Sequence, residues 1–487
     1  MKIYYIVALL VSLFINGCTT LGPDFEPLKS ENIPKEWEKN QKSDTTEWWK
    51  IFGDSLLNTL VEKTYIQNLD IQSAGLRILQ ARAALGVSEG LKFPQQQTLS
   101  GSAAASHGNS RNFGSVGLKF DTAWEMDVWG KYARGVESSE ASLYASVASY
   151  DDIMISVISE MARNYINYRM AQERIVYARR NIKIQERVTE ITKIQFNSGN
   201  VSELDMQQSL SQLHSTRSLL PTFNYSMIQS RNAMAILLGI TPNEMQKILR
   251  DSNKEKKIIP HAIYEPLSTI SAELIKNRPD IRVAEHLAHA NSAKIGAAEA
   301  GLYPSFVLFG NIGISANDAL GSWGTLSDSV GVSIGPSFSW NIFQYDRIKN
   351  QIRFQDAIFE ESLVNFNKKV LIAVGEVSNS LEGFRLTKLQ RIENQKALAA
   401  TQRAYNISME QYSDGLVGYQ RLSSSLQSLT IQEDNYAQIQ AASALHIIAL
   451  YKALGGGWKL ENSKPYISKK RAKKMKERTD WGDYLDD

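Results

Sequence analysis

Glu285, His286 and His289 lie close together in a stretch with helical periodicity. Histidines at i and i+3 share a helix face, where they can bind one metal. Zinc takes at least three protein ligands. The chain has 6 His and 1 Cys, and no further His or Cys is placed nearby, so this pair reads as structural. Asp121, Glu125 and Asp127 form a second group that imitates a catalytic carboxylate set. They alternate with apolar residues along a strand-like stretch, so they read as the wet side of a sheet instead. No phosphate-binding glycine loop, zinc-protease helix motif or Gly-x-Ser-x-Gly elbow occurs. The expectation is a protein that is not an enzyme, with no metal and no cofactor.

These groups must be positioned by a chain of 487 residues with 43% hydrophobic and 22% charged residues, an ordinary globular balance. A net charge of +3 is too small to suggest nucleic acid as a partner. Lys2 precedes an apolar run from Ile3 to Ile15. That run is too short to span a bilayer as a helix, which takes about 20 residues, and it reads as a signal-peptide core over 1–17. It ends in Gly17-Cys18, like the lipobox of bacterial lipoproteins, in which the thiol is acylated after cleavage. Cys18 is therefore the expected lipid attachment, and that lipid is the one covalent group foreseen. Thr19 lacks the aspartate associated with inner-membrane retention, which points to the outer membrane. No later segment is apolar enough for a transmembrane helix, so a membrane span requires a closed barrel.

The chain is internally duplicated. Asn68-Leu69-Asp70-Ile71 returns as Arg278-Pro279-Asp280-Ile281, and Gly86, Glu89 and Pro94 return as Gly296, Glu299 and Pro304. Phe196-Asn197-Ser198-Gly199 returns as Tyr412-Ser413-Asp414-Gly415, and Leu238-Gly239 as Leu454-Gly455. Ordered matches at a slowly drifting offset imply two copies of one unit. The expected organisation is an N-terminal extension at 18–53, copy one at 54–239, a connector at 240–266, copy two at 267–457 and a disordered tail at 458–487. Each copy reads as a helix of about 40 residues (Asp54 to Lys92 in the first), a proline stop, two strands, a very long helix, a glycine turn (Gly199, Gly415) and a returning helix.

Val116, Leu118, Phe120, Thr122, Trp124, Met126 and Val128 alternate with Gly117, Lys119, Asp121, Ala123, Glu125 and Asp127. Val330 to Ile342 repeats the alternation against Gly and Ser. One apolar face and one polar face over about a dozen residues is the pattern of a transmembrane barrel strand. Lys119, Asp121, Glu125 and Asp127 are then lumen-facing. Partner strands are expected near 98–106 and 305–315, with polar hairpin loops at 106–112 and 316–327. Four strands cannot close a barrel, for which about eight is the practical minimum, so the chain must oligomerise. Two copies would supply eight strands and three copies twelve.

The stretch from about 131 to 196 has a heptad seam at Met154, Ile158, Met161, Tyr165 and Tyr168, matched by Val370, Val374, Val377, Leu381 and Phe384. As one helix it would be roughly 100 Å long, carrying Arg and Lys on its outer face. Pro221 falls in a returning helix and should kink it.

Together these features resemble the TolC superfamily, and within it the OprM-like outer-membrane lipoproteins of RND-type efflux pumps. The resemblance covers nearly all of the mature chain. It is carried by Gly17-Cys18 with Gly22-Pro23-Asp24-Phe25, Trp48-Trp49 with Phe52-Gly53-Asp54, Arg278-Pro279-Asp280-Ile281, Asn232 with Leu237-Leu238-Gly239, and Tyr451 to Trp458. It implies an α+β membrane protein: a homotrimer whose twelve-stranded β-barrel continues into a periplasmic α-helical barrel. It also implies a periplasmic adaptor and a proton-driven inner-membrane RND transporter as partners, with outer-membrane lipid around the barrel. The function implied is a passive duct for small molecules. A TolC-like exit duct for type I protein secretion shares the architecture, and the lipobox and terminal motifs argue against it. A non-conducting coiled-coil scaffold is disfavoured by the alternating strands. Family members close the periplasmic tip with acidic residues after the glycine turns. Asp205 matches such a position, whereas the equivalent place in copy two holds Arg421. A tip held by ion pairs between Asp205 or Asp414 and Arg421 is the expectation. The 11 Met are scattered and give no sign of copper or silver export. The basic run at Lys469–Lys474 reads as a solvated tail or a contact to anionic head groups.

Overall fold

The computed structural model describes residues 20–29, 33–34, 46–108, 111–251, 259–262, 272–317, 330–457 and 465–485. Cys18, the signal segment and the second hairpin loop beyond Asn317 lie outside them. A 3-10 turn at Trp48–Phe52 leads into α1 (Ser55–Gln67) and α2 (Leu69–Gly90). Strands β1 (Gln96–Gly108) and β2 (Arg111–Met126) follow, then α3 (Lys131–Asn197), α4 (Glu203–Leu238) and α5 (Pro242–Asp251). The second half runs α6 (Ala272–Lys276), α7 (Pro279–Glu299), β3 (Ser305–Asn317), β4 (Val330–Ser339), α8 (Arg347–Ser413) and α9 (Tyr419–Ala453). A last helix, α10, spans Lys469–Lys476.

The single helix expected from Asp54 to Lys92 is two helices. Asn68 takes an extended conformation (φ −59°, ψ 134°) and its Oδ1 accepts from the Ile71 amide at 2.9 Å, capping α2. Its Nδ2 donates to Leu237 O at 2.8 Å, at the far end of α4. Arg278 makes the matching break (φ −59°, ψ 132°) in the second half, where the following Pro279 excludes helical geometry before it. Heptad-like periodicity is unbroken by one extended residue, so the sequence pattern alone did not show the break.

The long helices do form as expected. α3 and α8 each contain 67 residues. Each ends at a glycine in the left-handed region, Gly199 at φ +77° and Gly415 at φ +74°. The amides of Asn200 and Leu416 then reach back to Gln195 O and Gln411 O at 2.8 Å, a Schellman closure that favours glycine at this position. α4 runs on through Pro221.

The strands form one antiparallel sheet in the order β1-β2-β3-β4. The first hairpin is tighter than expected. β1 continues to Gly108 and β2 begins at Arg111, so residues assigned to a loop are paired. α3 and α4 form one helical hairpin, α8 and α9 the other, and the two meet along α3 and α9. The main core lies there, where Met154, Ile158, Met161 and Tyr165 of α3 meet Ala437, Ala441, Ile447 and Ile448 of α9. Farther along, Arg174 grips Asp434 with two bonds of 2.6 and 3.0 Å. Arg180 pairs with Glu433, which is fully buried and also accepts from Asn181 Nδ2 at 2.9 Å.

The tail is not disordered throughout. Ile467 and Met475 are buried against Leu79 of α2, with Trp481 and Leu485 at the margin. Burial of these apolar side chains, about 1.5–3 kcal/mol each, outweighs the polar composition that suggested disorder.

Candidate functional site

Register sorts every strand residue onto one of two faces. Leu118 and Phe120 of β2 lie beside Ile314 and Ile312 of β3, and Ile312 lies beside Val332 of β4. Leu99 of β1 opposes Phe120. On this face Leu99, Leu118, Ile312, Val332, Ile334 and Phe338 are all more than half exposed, Ile334 reaching 79%. The opposite face carries Ser100, Ser102, Lys119, Asp121, Asn311, Ser333 and Ser337. Lys119 pairs with Asp121 at 2.6 Å, and Asn311 Nδ2 donates to Ser333 Oγ at 2.8 Å. A broad exposed apolar face is stable only against lipid or a partner. Among the described residues, no strand lies beside the outer edges of β1 and β4 in the sheet.

Of the four residues expected to face the lumen, Lys119 and Asp121 stay on the polar sheet face. Glu125 turns to the base of the sheet, taking a 3.1 Å bond from Lys131 Nζ and a 2.8 Å bond from the Tyr132 hydroxyl. Asp127 lies past the end of β2, and its carboxylate accepts from the amides of Tyr132 and Ala133 at 3.1 and 2.7 Å. It anchors the positive end of α3 and does not line the sheet. Alternation carried the reading two residues too far because strand and helix N-terminus adjoin.

Three tryptophans mark that junction. Trp124 Nε1 donates to Lys92 O at 3.1 Å, Trp340 Nε1 to Leu302 O at 2.9 Å and Trp129 Nε1 to Pro304 O at 2.8 Å. Trp129 stacks on Tyr303 with ring centres 4.7 Å apart. Indoles with one polar anchor and an apolar body suit a membrane interface. The signal for them was present, since Trp124 and Trp340 are equivalent in the two copies.

At the opposite end of the long helices, Asp205 is the third residue of α4. Its Oδ2 accepts from the Ser202 amide and hydroxyl at 3.1 and 2.9 Å, closing a capping box. Arg421 holds the same position in α9, where Gly418 gives no side-chain cap. A cation in the first turn opposes the helix dipole, and so does Asp414 at the end of α8, by about 0.3–1 kcal/mol each. Arg421 and Asp414 are exposed. Within the chain, Arg421 forms no ion pair with Asp205 or Asp414 among the described residues. Beneath the turns lies a cluster that sequence reasoning missed. The Tyr412 hydroxyl and Thr192 Oγ1 share a 2.9 Å hydrogen bond, and Tyr412 meets Tyr419 edge-on at 6.2 Å. Burial pushes the pKa of both phenols up, and the nearby Asp205 carboxylate adds to the rise. Tyr405 and Tyr412, one heptad apart, were the available signal.

A one-sided four-stranded sheet continued by 67-residue helices is the architecture of a known group. The outer membrane efflux protein family matches residues 60–240 and 270–456, a range that takes in both halves. The chain belongs to this family. Among curated relatives, Nodulation protein T of Rhizobium leguminosarum bv. trifolii is 28% identical across 92% of this chain and 96% of its own length. Probable outer membrane lipoprotein SilC of Salmonella typhimurium is 26% identical across 91% and 96%. Among solved structures, the outer-membrane channel OprN superposes with a TM-score of 0.80 at 27% identity, over 90% of this chain and 99% of that one. The Campylobacter jejuni CmeC outer membrane channel shares the fold, with a TM-score of 0.77 at 24% identity, over 94% and 98%. This chain is an outer-membrane efflux channel of TolC-like fold, mostly helical with a small sheet. Members of the family are channels, not enzymes.

The sequence motifs of the efflux channel serve as straps. Arg134 of α3 is buried; its guanidinium donates to Leu21 O, Gly22 O, Asp24 and Glu137 at 2.8–3.1 Å. Phe25 then stacks flat on His289 at 4.5 Å, and the His289 Nε2 lies 3.0 Å from Glu137. His286 faces Tyr144 instead. The two histidines diverge to different partners, and no group of three or more candidate ligands forms among the described residues. Arg278 is the counterpart in the second half. It donates to Ala453 O at 2.7 Å, to both oxygens of Asp280 at 3.0 and 2.8 Å, and to Glu376 at 2.9 Å.

Asp151 is less well matched. It lies 3.7 Å from Arg282 Nη1, too far for a good hydrogen bond. Burial pushes its pKa up to about 6, with Arg282 offsetting part of the rise. The folded channel thus holds this proton more tightly than the unfolded chain does. Stability from this group is full below about pH 4 and is lost as the pH rises through 6. Asp151→Asn is expected to flatten that dependence and to stabilise the channel at pH 7.5 by about 2 kcal/mol per protomer. Thermal melts at pH 5 and 7.5, followed by circular dichroism, check both effects.

Proposed function

We propose that three copies of the channel close their sheets into one twelve-stranded barrel in the outer membrane, anchored by lipid on Cys18, and that their helical hairpins form the wall of a periplasmic tube. The observation that carries this reading is the sheet with one exposed apolar face and two open edges. In lipid, every backbone N–H and C=O must be paired, and neighbouring copies supply the missing partners. Three copies also bring the polar faces together around an aqueous lumen of the size a twelve-stranded barrel allows. In this reading a periplasmic adaptor and an inner-membrane RND transporter deliver the cargo and the driving force, as the membership in the outer membrane efflux protein family suggests. Relatives include a cation efflux system protein, a pyoverdine export outer membrane protein and a solvent efflux pump outer membrane protein. The cargo in this reading is a small molecule selected upstream of the duct.

The tip is the gate in this reading. Arg421 and Asp414 each oppose a helix dipole without an ion-pair partner among the described residues of their own chain, and a partner in the next protomer removes that cost for both. Charges that break a local rule mark functional positions. Conductance in planar bilayers tests the whole proposal. Purified channel is expected to give stable single-channel steps and to run as a trimer on unheated gels. Arg421→Ala is expected to raise the open probability several-fold with unchanged trimer. A monomer without conductance sinks the duct, and an Arg421→Ala channel identical to wild type sinks the gate.

A further inference from the structure

We propose that α10 docks the channel onto a carboxylate-bearing polymer of the periplasm, the peptide-crosslinked cell wall; this rests on the outer-membrane reading above. α10 has the sequence Lys-Lys-Arg-Ala-Lys-Lys-Met-Lys. Its apolar residues face inward, with Met475 buried beside Leu79 and Ala472 packed at the margin. Lys469, Lys470, Lys473 and Lys474 point to solvent and make no ion pair among the described residues. The first turn carries Lys469 and Lys470 with no side-chain cap at Ser468, an arrangement the helix dipole disfavours. The helix nevertheless forms because its inner face is held. Arg471 Nη2 donates to Gln72 Oε1 of α2 at 2.9 Å, and Arg82 lies over the Tyr466 ring at 5.6 Å. The result is a rigid, multivalent cationic surface.

Its depth selects the partner. The membrane boundary is marked by the bond from Trp124 to Lys92 O, just beyond the end of α2. α10 packs on the Gln72–Leu79 part of that helix, roughly 20–30 Å lower at 1.5 Å per residue. At physiological salt the potential of a charged surface decays over about 8 Å, so the lysines lie beyond the field of the lipid head groups. The chain after α10 folds back on α2: Trp481 and Leu485 join Met475 on Leu79, and Tyr484 stands over Gly86. Peptide stems of the cell wall present free carboxylates at that level, and four ammonium groups on a fixed scaffold bind such a polymer by avidity.

Sedimentation of detergent-solubilised, full-length trimer with isolated sacculi tests this. Wild type is expected to pellet with sacculi at low salt and to be released by about 0.5 M salt. The quadruple Lys469→Gln, Lys470→Gln, Lys473→Gln, Lys474→Gln variant, still trimeric on unheated gels, is expected to lose at least ten-fold of the bound fraction. Sacculi whose carboxylates have been amidated are expected to retain neither protein. Equal pelleting of variant and wild type overturns the proposal, as does wild type that floats with vesicles containing anionic phospholipid and ignores sacculi. Trimer and conductance are measured on the same preparation, so failure of the outer-membrane reading is seen separately.

Discussion

Replacing Ile334 by arginine is expected to abolish the assembled channel. Ile334 sits near the middle of β4, on the apolar sheet face, and is 79% exposed in the isolated chain. A lipid-facing arginine near the bilayer midplane costs about 2–4 kcal/mol. In the proposed trimer, three copies raise that to roughly 6–12 kcal/mol, comparable to the whole stability of a typical domain. The trimer band on unheated gels should disappear. The neighbouring Ser333→Arg places the same charge on the opposite face, beside Asn311. That channel is expected to assemble normally and to pass less current. If both variants assembled equally well, the sheet would not face lipid on the side assigned to it.

Arg278→Ala is expected to destabilise the channel by about 3–5 kcal/mol. Arg278 is 7% exposed, and its guanidinium neutralises Asp280 and Glu376 while capping the Ala453 carbonyl at the end of α9. Removing the buried guanidinium leaves the largely buried Asp280 uncompensated, the main source of a loss of this size; Glu376 is half exposed and adds little. Arg278→Lys is expected to recover only part of it, because one ammonium cannot reproduce the fork that holds both Asp280 oxygens. A single leucine in place of Arg278 tests the electrostatic origin. With Asp280→Asn and Glu376→Gln also introduced, most of the loss should vanish. Thermal unfolding of these four variants and the wild type at pH 7.5 compares them. A mild effect of Arg278→Ala would mean that the junction is held by apolar packing alone.

Much of the architecture was legible because it rests on short-range periodicity. Alternation over Val116–Met126 and Val330–Ser339 fixes which side chains share a sheet face, whatever the partner strand. Glycine at 199 and 415 follows from the left-handed turn that closes a helix. The misplaced elements have a different physics. Asn68 splits the first helix because its side chain bridges two helix ends, one of them far along the chain at Leu237. Asp127 belongs to a helix N-terminus although it continues the strand alternation. The tail folds because Leu79 covers Met475 and Ile467, a contact between segments far apart in sequence.

The sequence by itself determined the long helices, the strands and their two faces, since these depend on residues a few positions apart and on the chirality of the backbone. Only the tertiary structure decided where the motif residues act. Arg134, Arg278 and Glu433 find their partners across long sequence separations, and the lysines of α10 acquire their distance from the sheet only when the tail docks on α2. Local pattern specifies which surface a side chain occupies; long-range packing specifies what that surface meets.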